Sequence, residues 1–213
     1  IRRQTAARFS AWLKQKYGDQ KALRAAWGDK AFDSFKYEGF EKVGEDLEKG
    51  NILPLGGPWY WEPVNLNGSQ VFRKQRLLDT LEFLTMLQVE CYANYVKALR
   101  SAGYDGEIIG SNWQAGSAYS HYANLYTDYT VGTIDRHNYF GGGGRSGKFG
   151  NGSMLARAGT GLLSSGMQQV IDRPFMLSEW IHCFPNEWGV EGPAIIGAAP
   201  ILPFTTASSG VCV

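Results

Sequence analysis

Apolar positions along the chain recur with a helical period in several stretches. In Gln4–Tyr17, Ala7, Trp12 and Leu13 fall near one face with Phe9 beside them, and Arg and Lys fill the positions between. Gly18 ends that run, and Asp19 stands where it caps a second short helix, Gln20–Trp27. The strongest pattern covers residues 71–102. There Phe72, Leu77, Leu78, Leu81, Leu84, Met86, Leu87, Val89, Tyr92, Tyr95, Val96 and Leu99 repeat at helical spacing until Gly103 stops them. Weaker helical patterns lie at 116–126, at 160–170 as a short helix or turn, and from Pro193 to Ala199. Residues 28–70, rich in Gly and Pro, read as one long irregular segment. A loop of that length inside a domain is often functional.

Short apolar runs at Glu107–Asn112, Tyr129–Asn138 and Arg173–Glu179 read as strands. Separated by long helical or loop segments, they predict βα units and a parallel sheet, hence an α/β fold. The chemically interesting residues gather where these runs end: Asn112 and Trp113, then His137 and Tyr139, then Glu179 and Trp180. In a (β/α)8 barrel the active site lies at the C-terminal ends of the strands.

Composition narrows the function classes without choosing among them. Of 213 residues, 44% are hydrophobic and 19% charged, which is ordinary for a globular chain. With 21 basic against 20 acidic residues, the charge balance gives no reason to propose nucleic acid as a partner. No apolar run is long enough to span a bilayer, so no membrane partner is expected. Cys91, Cys183 and Cys212 are too few and too scattered for a disulfide framework. Aromatic residues reach 14%. Most belong to a core, but sugar-binding clefts also expose aromatic faces.

Glu179 closes the apolar run Phe175–Glu179 and precedes Trp180. A carboxylate there costs desolvation unless partners compensate it. It reads either as a nucleophile or as a strand-end Glu paired with a cation or facing water. His137 and Tyr139, at the end of the preceding strand, are placed to orient such a carboxylate and keep it ionised. His137 taken alone reads equally as a satisfied core histidine.

Together these segments resemble a known family. Phe9–Gly18 followed by Ala22–Gly28 resembles the helical segment after the fourth strand of clan A glycoside hydrolases, in particular the beta-galactosidase-like, family 42-type barrels. Ile108–Trp113, Asp135–Tyr139 and Pro174–Trp180 resemble their fifth, sixth and seventh strands. The similarity reaches to about Ala198 and is nearest a bacterial branch of the clan. It implies a partial (β/α)8 TIM barrel, from after strand four through strand seven. It further implies a carbohydrate substrate, no cofactor, and retaining hydrolysis of a β-glycosidic bond with Glu179 as nucleophile. His137 and Tyr139 would orient Glu179. Asn112, Trp113, Trp180, His182, Trp59 and Trp61 would line the sugar site. The resemblance fixes neither the sugar nor whether the protein is exported, and the oligomeric state stays open.

The clan's acid/base is the Glu of an Asn-Glu pair ending strand four, and no such pair stands before the first helix. Asn186-Glu187 lies after the seventh-strand segment and is misplaced for that role. The acid/base is therefore expected in sequence ahead of Ile1, and the 213-residue chain alone is expected to be inactive. Residues 199–213, with two prolines and a Ser/Thr run, break the helical continuation and read as a divergent or out-of-frame tail. The alternative function is a catalytically dead barrel that serves as a carbohydrate-binding module.

Other motifs carry less. Gly142–Lys148 matches the start of a phosphate-binding loop, but Phe149 stands where Ser or Thr would hold magnesium. His121, His137, His182 and Cys183 are not spaced as zinc ligands. Trp59, Tyr60 and Trp61, in a Gly/Pro-rich loop, either stack a sugar or pin the loop.

Overall fold

A computed structural model describes residues 1–35, 44–116, 118–142 and 148–198. Most of the Gly142–Lys148 motif and the whole 199–213 tail lie outside the described residues. The chain divides into two compact units, Ile1–Cys91 with Ala115–Asn124, and Tyr92–Gln114 with Leu125–Val213. Among the described residues no helix is long and apolar enough to cross a membrane.

The first unit is helical. Helix α1 (Arg2–Tyr17) ends at Gly18, whose φ of 86° returns its N–H to Lys14. Helix α2 (Gln20–Trp27) starts from Asp19, which accepts the Ala22 N–H at 2.8 Å as its cap. Three one-turn helices follow, α3 (Asp29–Phe32), α4 (Pro58–Trp61) and α5 (Pro63–Leu66), and a 3₁₀ turn, Val71–Arg73, leads into α6 (Lys74–Ser101). One apolar cluster joins Phe9, Leu13, Leu23, Trp27, Phe32, Leu47, Ile52 and Phe83; a second joins Phe35, Trp61, Leu66 and Leu77.

Within the long 28–70 stretch, the described residues hold three one-turn helices and contribute to both apolar clusters. Leu47, Ile52 and Leu53 are buried. Backbone N–H groups of Leu47, Ile52 and Leu53 donate to side chains of Gln20, Ser10 and Glu45, so the segment needs no ladder of its own. The apolar face of α6 is buried only in its first half, at Leu77 and Phe83; Met86 and Tyr95 are exposed.

A second buried feature of this unit is Asp79, fully inaccessible on α6. It accepts from Trp27 Nε1 at 2.6 Å, Tyr17 Oη at 2.7 Å, Gln75 Nε2 at 2.9 Å and Lys16 Nζ at 3.0 Å. Burial, with the hydrogen bond to Asp79 behind it, pushes the Tyr17 phenol up to about 12. The folded chain therefore keeps a proton that the unfolded chain releases near its ordinary value of about 10. That contribution is complete below about pH 10 and is lost as pH rises toward 12. In urea titrations the wild-type midpoint should fall more steeply across this window than that of Tyr17→Phe. Equal slopes would contradict the assignment.

In the second unit, α6 ends at Ser101 and α7 (Ala118–Tyr129) leads to strand β1 (Ile134–Phe140). A 3₁₀ segment, Gly161–Gln168, comes before strand β2 (Phe175–His182), and α8 (Glu191–Ala198) closes the described chain. β1 and β2 pair in parallel. The expected strand at 107–112 is reduced to one parallel bridge, Ile109 to Thr133. Its apolar content is only Ile108 and Ile109, between Gly106 and Gly110. Tyr129 ends α7 rather than opening a strand, and β1 starts beyond a turn at Gly132. β2 runs on to His182, so Glu179 sits within the strand and not at its end.

Candidate active site

The residues of β1 alternate between two environments, as a strand must. Arg136, Asn138 and Phe140 face the helical layer. Arg136, fully buried, reaches Asp128 of α7 at 2.8 Å and Gln168 at 2.7 Å. Burial pushes the Asp128 carboxyl up, against the pull of Arg136 and Ser111. Asn138 Nδ2 donates to Gly161 O at 2.8 Å and Ser165 Oγ at 2.7 Å. Phe140 packs on the cluster of Met154, Leu162 and Leu177. The alternate set, Asp135, His137 and Tyr139, meets Ser178 and Glu179 of β2.

How Glu179 reaches that set is decided by an irregularity in the ladder. Asp135 pairs with Met176 and Arg136 with Leu177, but His137 pairs with Glu179, so Ser178 is skipped. In a regular strand Glu179 would share the face of Leu177, which lies in the apolar cluster. The slip works as a bulge does, turning two consecutive side chains to one side. Ser178 and Glu179 both face Asp135, His137 and Tyr139, while Leu177 and Trp180 keep the core face.

Glu179 has a half-exposed side chain and receives the Tyr139 hydroxyl at Oε2. His137 Nδ1 stands 3.4 Å from the same oxygen, its ring 11% exposed. Both contacts fall on Oε2 of the carboxylate. The hydrogen bond to Glu179, more than burial, raises the Tyr139 phenol above its ordinary value, so it stays a donor. Behind them, Ser178 Oγ lies 3.1 Å from His137 Nε2 and donates to Asp135 Oδ2 at 2.6 Å; Ser178 N donates to Asp135 Oδ1 at 3.0 Å. A cleft of about 190 Å³ opens beside Glu179, lined by Tyr139, Glu179, Trp180 and Ile181.

The structure thus brings Glu179, Tyr139 and His137 together and adds Asp135 and Ser178. Asp135 is legible as the first of three polar residues at every second position, Asp135, His137 and Tyr139. Ser178 falls opposite Leu177 by ordinary strand alternation, and the register slip adds Glu179 to that side. Trp180 borders the cleft while its indole packs into the apolar cluster. His182 is buried, edge-on to Phe140 with ring centroids 5.2 Å apart and beside Gly192, and so does not line the cleft. Two residues beyond Trp180's core position, it takes the helix-layer face. Asn112 is exposed and Trp113 is 63% exposed, and neither lines the cleft.

Trp59 and Trp61 belong to the other unit. Trp59 is exposed. Trp61 is 5% exposed and donates its indole N–H to Leu77 O at 2.9 Å, so it pins the loop and offers no face to a sugar. Gly56 permits this: a Cβ there would lie 2.6 Å from the Trp61 ring.

No family model, no curated protein and no solved structure matches the chain.

Proposed function

We propose that this chain carries the nucleophile side of the active site of a retaining β-glycoside hydrolase, built on part of a (β/α)8 barrel. The observation that carries the reading is the Glu179 carboxylate, turned by the register slip out of the core and bonded by Tyr139, with His137 beside it, at the edge of a cleft. Parallel pairing of β1 with β2, and the bridge before β1, agree with a barrel segment.

In the reaction, the Glu179 carboxylate attacks the anomeric carbon. The bond from that carbon to the leaving oxygen breaks, and the leaving oxygen takes a proton from a second carboxyl group about 5–5.5 Å away. Water, deprotonated by the same second group, then cleaves the glycosyl ester and restores Glu179. Tyr139 stabilises the carboxylate before attack and as it is released. Among the described residues that line the cleft, Glu179 is the one carboxylate.

The test is covalent trapping. The enzyme containing this chain, incubated with dinitrophenyl 2-deoxy-2-fluoro-β-galactoside and with the corresponding glucoside, should gain the mass of one fluorosugar on the peptide holding Glu179. The activated leaving group needs no acid, so trapping reads the nucleophile alone. A label on another carboxylate would reassign the nucleophile. Reversible binding of the sugars with no label would favour a carbohydrate-binding module.

A further inference from the structure

The site contains a chain of polar groups whose donor and acceptor roles are fixed from its buried end. Asp135 is 3% exposed, and its carboxylate only accepts hydrogen bonds. One oxygen takes the Ser178 N–H and the other takes the Ser178 hydroxyl proton at 2.6 Å. A hydroxyl has one proton to give. Having given it to Asp135, Ser178 Oγ meets His137 Nε2, 3.1 Å away, as an acceptor. The neutral imidazole must then carry its proton on Nε2, and Nδ1 presents a lone pair. Nδ1 faces Glu179 Oε2 at 3.4 Å and Tyr139 Oη at 3.5 Å.

We infer that Asp135 and Ser178 are positioning residues that lock neutral His137 as its Nε2–H tautomer. Through that tautomer they deny the Glu179 carboxylate a second hydrogen bond. With Nδ1 as an acceptor, Glu179 is held by Tyr139 alone among the described residues and keeps more of its nucleophilicity. The consequence for rate rests on the glycosidase reading; the tautomer does not.

Asp135→Asn tests the polarity directly. The amide still accepts the Ser178 N–H through its oxygen, but its NH₂ donates to Ser178 Oγ. The hydroxyl proton then turns to His137 Nε2, and the imidazole proton moves to Nδ1, where it donates to Glu179. The known consequence of an Asp to Asn exchange beside a histidine, a wrong tautomer in an intact geometry, is the same logic.

The measurement is two-bond ¹H–¹⁵N correlation NMR on this chain with ¹⁵N-labelled histidine, at about pH 8 where an ordinary imidazole is neutral. The chain has three histidines, and His137→Gln assigns the ring of interest. Wild type should show His137 as Nε2–H and Asp135→Asn as Nδ1–H. Ser178→Ala, which removes the Nε2 acceptor, should also raise the Nδ1–H population, and it serves if the Asn variant does not fold. The same tautomer in wild type and both variants, or Nδ1–H in wild type, overturns the inference. In the sugar-cleaving enzyme, Asp135→Asn should lower kcat by about tenfold, one hydrogen bond's worth, with KM little changed. A tautomer flip in a protein that transfers no sugar supports the relay and sinks the glycosidase reading instead.

Discussion

Glu179→Gln should abolish turnover while leaving the fold intact. The side chain is half exposed, and the amide oxygen can still accept from Tyr139, so little stability is at stake. Under the proposed mechanism the chemical loss is large, because an amide does not form the glycosyl ester on which both steps depend. Losses for a removed nucleophile run on the order of 10⁴ to 10⁶ in kcat. Glu179→Gly should be equally inactive toward dinitrophenyl glycosides, yet azide should restore rate by entering the vacated space. The product would then be the glycosyl azide of inverted configuration, since one displacement replaces two. A wild-type enzyme with no turnover to lose, in which Glu179→Gln changes only sugar affinity, would establish binding without catalysis. Retained turnover in the Gln variant would remove Glu179 from the mechanism.

The largest expected effect on stability lies in the helical unit, at Arg76. Its side chain is fully buried between Trp27 and Phe35, with ring centroids 5.0 and 4.6 Å from the guanidinium carbon. It pairs both nitrogens with both oxygens of Glu45, each at 2.6 Å, and Glu45 is itself only 5% exposed. The same guanidinium donates to the carbonyls of Ala31, Phe32 and Leu53. One residue thereby ties α3 and the 44–57 segment to α6. Arg76→Ala leaves a buried carboxylate without its cation and removes the side-chain donor from three carbonyls, of which Ala31 O still accepts from Ser34 and Leu53 O from Leu55. Breaking a buried pair in this way costs about 3–5 kcal/mol. At about 2–4 °C per kcal/mol for a chain of this size, the melting temperature should fall by roughly 6–20 °C. Arg76→Lys should recover little, because an ammonium cannot supply the planar fork. Arg76→Met with Glu45→Leu should lose much less than either single change, since no unpaired charge remains. Thermal denaturation of the four proteins checks this, and a double variant as unstable as Arg76→Ala would refute it.

Much of the local structure is written in short-range signals. Gly18 ends α1 and Asp19 caps α2 as their residue types require, and the apolar repeat begun near Val71 becomes α6. Less legible was the 28–70 segment. Gly and Pro mark it as irregular, but its order comes from Glu45, Ser10 and Gln20, which lie up to 42 residues from the backbone groups they satisfy. Periodicity has no access to such partners. The 107–112 run failed for the opposite reason. Two isoleucines between glycines look like a strand, but a strand is made by its neighbours, and among the described residues only Thr133 pairs with it.

Alternation in Asp135, His137 and Tyr139 puts three polar groups on one face of a strand, and this is determined by sequence because side chains in a strand repeat every two residues. The same rule applied to β2 is right for Ser178 and wrong beyond it. It puts Glu179 with Leu177 in the core and sends Trp180 the other way. Only the pairing of β2 with β1, in which Ser178 is skipped, brings Glu179 to the polar face beside Ser178 and returns Trp180 and His182 to the helix layer. A register slip is a property of two strands together. The sequence therefore determined which residues could do chemistry, and the tertiary pairing decided which of them meet.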